Sequence, residues 1–135
     1  MEIENVFIDT SAFYALMDRS DRYHEKANKL WISLLDKNAT LKTTNYIIIE
    51  ALALLQNRLG FEAANLFSND ILGLADILWV DASRHNLAYE LWRGLGKINL
   101  SLVDCVSFIT MRHYKLENVF GFDRHFDEQG FKILD

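Results

Sequence analysis

Val6-Phe7-Ile8 is an unbroken apolar triplet and predicts a buried strand. Asp9-Thr10-Ser11 follows it, three residues that favour helix N-caps, and predicts a helix over Ala12 to Met17. Between Arg22 and Asn38 the apolar positions Ala27, Leu30, Trp31, Leu34 and Leu35 recur at spacings of three and four, the stripe of an amphipathic helix. Ala39 to Thr43 is β-leaning. Asn45 to Arg58 carries a broad apolar face and predicts a helix stopped at Gly60. The same periodicity predicts a further helix from Phe61 to Asp76. Ile77 to Val80 is apolar throughout and predicts a strand. A helix from Asp81-Ala82-Ser83 to Leu95 and another from Ser101 to Tyr114 come next. Asn118 to Phe122 and Phe131 to Leu134 predict the last two strands, with one helical turn at Asp123 between them.

Short apolar strands separated by amphipathic helices predict an α/β fold, a three-layer α/β/α sandwich on a short, mainly parallel central sheet. Strands covered by helices on both faces have no reason to alternate, and these do not. Ligands of such sheets lie outside the carboxyl ends of the strands. The residues just after the strands and at the helix starts therefore carry the candidate chemistry.

Composition narrows the picture. No linker, repeat or low-complexity stretch divides the 135 residues, which predicts a single domain over 1–135. Half the residues are hydrophobic and 24% are charged, a globular balance that excludes disorder. Cys105 is alone, so no intrachain disulfide forms and a reducing, cytoplasmic compartment is expected. No apolar run reaches the ~18 residues of a membrane span. Met1 to Asn5 lacks the basic start and apolar core of a signal peptide. The formal charge is −5, which argues against a protein that coats nucleic acid with a basic surface. A nuclease stays open, because its metal site itself needs acids.

Four carboxylates stand in telling places. Asp9 directly follows the first strand, Asp123 follows the strand ending at Phe122, Asp104 lies in the first turn of the Ser101 helix, and Glu50 sits inside an apolar helix. Each has a plainer reading. Asp9 and Asp123 suit helix caps, and Ser101 to Asp104 fits a capping box. Glu50 needs a cation, a donor or a metal, because an uncompensated buried carboxylate costs several kcal/mol. Together, four acids at one end of a sheet repel one another unless a cation neutralises them. Hard divalent ions prefer such oxygen ligands, whereas zinc recruits His or Cys, and no such cluster is visible. Acid-only Mg²⁺ sites serve phosphoryl transfer or phosphodiester hydrolysis.

The segments around these acids resemble a known family. Val6-Phe7-Ile8-Asp9-Thr10-Ser11, Thr44-Asn45-Tyr46-Ile47-Ile48-Ile49-Glu50, Leu100-Ser101-Leu102-Val103-Asp104-Cys105 and Phe120-Gly121-Phe122-Asp123-Arg124-His125-Phe126 look like the four acidic motifs of PIN domains. Within that superfamily the chain is similar to VapC-type ribonucleases, the toxins of toxin–antitoxin operons. The resemblance implies an endoribonuclease using one or two Mg²⁺ or Mn²⁺ ions, held by Asp9, Asp104 and Asp123, with Glu50 direct or through water. Asp127, one turn on, could share the role of Asp123. Metal-activated water would leave 5′-phosphate and 3′-hydroxyl ends. Thr10 and Ser101 are candidates for orienting the carboxylates. Arg124, His125, Lys42, Lys97 and Arg112 are candidate RNA contacts. The resemblance also implies a homodimer and an antitoxin that inserts a basic residue among the acids. A housekeeping ribonuclease, a catalytically silent PIN-fold binding module and a receiver-like phosphoacceptor domain are the alternatives. Setting the four acids aside leaves 15 acidic against 14 basic residues, so RNA binding is expected to depend on metal and not on bulk charge.

Overall fold

A computed structural model describes residues 5–135, and Met1 to Glu4, part of the segment read above for a signal peptide, lie outside the described residues. Five strands form one sheet in the order β3-β2-β1-β4-β5, parallel at every pairing. They are β1 (Asn5–Ile8), β2 (Thr40–Thr44), β3 (Asp76–Leu78), β4 (Asn118–Phe120) and β5 (Lys132–Ile133). The helices are α1 (Thr10–Met17), α2 (His24–Asp36), α3 (Asn45–Leu59), α4 (Phe61–Leu66), α5 (Ala82–Leu95), α6 (Leu102–His113) and α7 (His125–Glu128).

The strand order runs outward from β1 in both directions. Right-handed crossovers therefore place α1 to α4 on one face and α5 to α7 on the other. The packing of the aromatic residues agrees. Phe7 meets Phe126 of α7 at 6.5 Å between ring centroids, and Phe126 meets Phe108 of α6 at 5.2 Å. On the opposite face Phe13 of α1 packs edge-on against Phe67 at 5.0 Å. Val6, Phe7 and Ile8 are all fully buried, as a central strand between two helical layers requires. Each such side chain contributes about 1.5–3 kcal/mol relative to an exposed one.

The sequence reading differs from the structure in one helix and several boundaries. The helix expected over Phe61 to Asp76 ends at Leu66 and passes through a π turn at Phe67–Ile71 and a 3₁₀ turn at Leu72–Leu74. Ser68, Asn69 and Asp70 compete with helical backbone bonds, and Gly73 weakens the next turn. The strand expected at Ile77 to Val80 starts at Asp76 and leaves the sheet after Leu78. Val80 instead donates its N–H to Asn45 Oδ1 at 2.8 Å, while Trp79 turns outward to solvent. The β4 strand stops at Phe120 because its partner β1 stops at Ile8, and Asp9 N–H to Phe120 O, at 3.0 Å, is the last rung between them.

The change of direction from β1 to β4 is the topological switch point of the sheet. There the chain leaves β1 and β4 for opposite helical layers, and the crevice outside their carboxyl ends is where ligands of doubly wound sheets bind. Among the described residues no helix is long and apolar enough to cross a membrane.

Candidate metal centre

Asp9 stands at the mouth of that crevice. It is the N-cap of α1, and its Oδ2 accepts from Ser11 N–H at 3.3 Å and from the Ser11 hydroxyl at 2.8 Å. The same hydroxyl accepts from Phe122 N–H at 2.9 Å, so Ser11 ties the end of β1 to the end of β4. The sequence reading named Thr10 and Ser101 as orienting hydroxyls and missed Ser11. The signal was there in the Asp-Thr-Ser spacing, since a hydroxyl two residues after an Asx cap can fold back onto it. Thr10 is buried, its Oγ1 has no hydrogen-bond partner, and it lies near enough to Glu50 to favour that group's charged form.

Gly121 makes the close approach of the two strand ends possible. A Cβ there would stand 2.9 Å from Asp9 Cβ and 3.3 Å from Ser11 Oγ. Any other residue would push Asp9 off its place.

Asp104 comes from the opposite helical layer. It is the third residue of α6 and closes a capping box: its Oδ2 accepts from Ser101 N–H at 2.9 Å and its N–H donates to Ser101 Oγ at 3.0 Å. The structural and functional readings of this acid are thus compatible, because the cap engages Oδ2 and leaves Oδ1. Glu50 reaches the same edge from the second turn of α3, whose start is capped by Thr44. Asp123, two residues past Gly121, accepts from His125 N–H at Oδ1, 2.9 Å away.

The His125 ring turns back onto the same carboxylate. Its Nδ1 lies 2.8 Å from Asp123 Oδ1 but off the line of a hydrogen bond. Ligand atoms of Asp104, Asp123 and His125 lie within 4.8 Å of one another and could together hold an ion. The sequence reading saw no histidine in the cluster and gave His125 to RNA. The tight turn into α7 is what brings the imidazole in.

Electrostatics couple the four acids to one another. Burial raises the pKa of Asp9 to about 7, with the charges of Asp104 and Asp123 adding to the effect. Glu50 is raised by burial and by the same two acids. Asp104 is raised by burial and by Asp123. Among the described residues no Lys or Arg pairs with any of the four. A carboxylate cluster that is desolvated, self-repelling and, among the described residues, met by one imidazole but no Lys or Arg suits a hard divalent ion.

The remaining candidates are dispersed. Arg124 is exposed beside Asp123 and lines a cavity of about 440 Å³ with Tyr14, Tyr23 and Phe122. Asp127 is exposed on α7. Lys42 lies mid-strand in β2, opposite Phe7, away from the carboxyl edge. Lys97 sits in the loop after α5 with Trp92 and Ile98. Arg112 is eight residues beyond Asp104 on α6, about 12 Å along the axis. It donates to Gln129 Oε1 at 2.8 Å and covers the Phe131 ring. Cys105 is buried and its thiol is pushed up to about 11, first by desolvation and then by Asp104, which makes it inert.

Residues 6–132 match the PIN domain family. The chain belongs to that family. This PIN domain is VapC-like: it is 31% identical over 129 residues to the 23S rRNA-specific endonuclease VapC20 of Mycobacterium tuberculosis, strains CDC 1551 and H37Rv, a match covering 93% of this chain and 95% of the relative. The crystal structure of Mycobacterium tuberculosis VapC20, a Sarcin-Ricin loop cleaving toxin, is similar with a TM-score of 0.84 over the same shares of the two chains. FitAcB from Neisseria gonorrhoeae shares the PIN fold with a TM-score of 0.69 at 17% identity, covering 96% of each chain. VapBC2 from Rickettsia felis bound to a promoter DNA fragment does so with 0.69 at 13%, covering 96% of this chain and 97% of that one.

Proposed function

We propose that this PIN domain is a Mg²⁺- or Mn²⁺-dependent endoribonuclease and the toxin of a toxin–antitoxin pair. The observation that carries the reading is the convergence of Asp9, Glu50, Asp104 and Asp123 at the switch point with no Lys or Arg among the described residues to neutralise them. The likeness to VapC20, named for action on 23S rRNA, supports RNA as substrate and makes a sarcin–ricin-loop hairpin the first RNA to try.

Asp104 and Asp123 would hold the ion or ions with Asp9, Glu50 direct or through water, and the His125 ring, clustered with Asp104 and Asp123, would be a further ligand. A divalent ion held there supplies a nucleophilic water of lowered pKa and neutralises charge on the phosphoryl oxygens. The protein's own part is positioning. The Ser11 hydroxyl and the Ser101 N–H each fix one carboxylate oxygen, of Asp9 and Asp104, and leave the other out of these bonds. Thr10 steadies the charge of Glu50. Arg124, beside Asp123, draws in the phosphate backbone.

The exposed apolar side chains Ile49, Leu59, Phe61 and Leu66 on α3 and α4 offer a face for a second copy, and we read the protein as a homodimer. A small antitoxin placing a basic side chain among the acids is the fitting inhibitor.

Labelled hairpin RNA incubated with Mn²⁺, then with EDTA, tests the reading. Cutting that stops with EDTA and in Asp9→Asn supports it. Cutting that persists in both sinks the mechanism, and a calorimetric titration without Mn²⁺ binding sinks the metal site. Cutting without growth arrest on expression would make the protein a housekeeping nuclease.

A further inference from the structure

Beyond Glu50, α3 presents further residues on the same side, apolar and polar. Leu54 and Asn57 follow Glu50 at helical spacings of four and seven. With Thr10, Ala53 and Arg58 these residues line a cavity of about 590 Å³ that opens beside the acid cluster. Thr10 lines it too, with its hydroxyl buried and near enough to Glu50 to favour the charged carboxylate.

Arg58 is exposed, lies beside Tyr14 and adds to the Ser20 and Tyr14 hydrogen bonds in lowering the pKa of Asp18, without forming a salt bridge to it. Its guanidinium lies 5.3 Å from the centre of the Tyr14 ring. Tyr14 is itself fixed, since its hydroxyl donates to Asp18 Oδ2 and the other oxygen of Asp18 accepts from Ser20 N–H at 2.9 Å and Ser20 Oγ at 2.6 Å. Among the described residues Arg58 forms no salt bridge. A guanidinium beside a tyrosine and without a salt bridge still has N–H groups to offer, and a guanidinium matches phosphate oxygens two at a time. The Asn57 amide and the Arg58 guanidinium, adjacent at one end of the cavity, form a donor set for an anion. Glu50 lines the end of the same cavity next to the acid cluster, and Arg58 lies two turns further along α3, so an anion belongs at the Arg58 end.

We infer that this cavity is a phosphate subsite for the RNA strand, taking a phosphodiester next to the one that is cut, with the Arg58 guanidinium and the Asn57 amide as donors. The inference rests on the ribonuclease reading and adds a binding group that neither motif nor charge count marks. It also meets a physical need. A polyanion approaching four carboxylates is repelled, and a cation beside them lowers that barrier locally while the chain as a whole stays acidic.

Steady-state cleavage of a labelled sarcin–ricin-loop hairpin in Mn²⁺, at several salt concentrations, tests it. Arg58→Ala should raise KM about fivefold with kcat within about twofold, and flatten the salt dependence by about 0.7 in log–log slope, as loss of one phosphate contact does on a single strand. Arg58→Lys, which keeps charge but not the fork, should fall between. A methylphosphonate scanned through the hairpin should raise the wild-type KM at one position next to the cut and leave that of Arg58→Ala unchanged. Circular dichroism of both variants guards against a folding loss. Unchanged KM and salt slope in Arg58→Ala, with cutting intact, overturn the subsite alone. A wild type that cuts neither the hairpin nor total rRNA overturns the ribonuclease reading, and the subsite with it.

Discussion

The two neighbours of β1 end at the same edge of the sheet and solve opposite problems there. Toward β2, Thr43 donates its hydroxyl to Ile8 O at 3.0 Å and Thr44 accepts from Ile47 N–H at 3.1 Å. Both threonines are fully buried, neutral and satisfied. Toward β4, the same depth holds Asp9 against Gly121, with Asp104 and Asp123 close enough to raise its pKa. One junction is closed with hydroxyls and contributes only to the fold. The other leaves negative charge uncompensated at a place where water is scarce. Buried hydrogen-bonded hydroxyls stabilise modestly, whereas buried like charges destabilise unless something external binds. The difference marks where the fold gives up stability for function.

Substitutions can break this contrast, and the acids should do so most. Asp104→Asn should reduce RNA cleavage by at least about 100-fold, beyond the loss typical of groups that merely support a ligand. The same change relieves repulsion in the metal-free protein, so its melting temperature should hold or rise while activity falls. A variant that loses both equally would show that Asp104 acts only through its capping box.

Gly121→Ala should come next. Overpacking between β1 and β4 costs about 1–3 kcal/mol. Cleavage and Mn²⁺ affinity should fall with it, because Asp9 is the residue the new Cβ meets. Thermal melting and metal titration of one preparation would read both effects.

The pH dependence is a quieter form of the same comparison. Asp9 has a folded pKa of about 7 against an ordinary 3.8. Between those values the folded protein binds a proton that the unfolded chain has released, so metal-free stability falls as pH rises through that window. Glu50 and Asp104, also raised, act in the same direction. An ion needs the deprotonated acids, so Mg²⁺ should raise the melting temperature more near about pH 8 than near about pH 5. A stabilisation by Mg²⁺ that is flat across this range would dissociate the ion from these acids.

The smallest effect belongs to the other junction. Thr43→Val removes one buried hydrogen bond and should cost about 1 kcal/mol. Cleavage per folded molecule should not change. A large drop in activity would mean that the β1–β2 edge shapes the site after all.

The apolar triplet at Val6 and the helix stripes were enough to predict an α/β sandwich, because burial on both faces leaves a direct mark on side-chain chemistry. Asp9 and Asp104 were legible for a similar local reason: both are cap residues, and caps are written in a few consecutive positions. The end of the Phe61 helix was not legible, since its π turn depends on how Phe67 is taken into the core against Phe13. Ser11, the close approach at Gly121 and the turning of His125 onto Asp123 were likewise hidden, because each joins elements brought together only by packing.

The sequence by itself determined which residues are acidic, which runs must be buried and where the helices begin. Those are properties of neighbouring positions, and periodicity and capping report them. The tertiary structure alone decided that four carboxylates from the end of β1, α3, α6 and the end of β4 meet at one crevice, that Lys42, Lys97 and Arg112 do not, and that Arg58 lines one cavity with Glu50 from two turns further along α3. Charge repulsion and cavity shape depend on distances through space, which only the strand order and the crossovers fix.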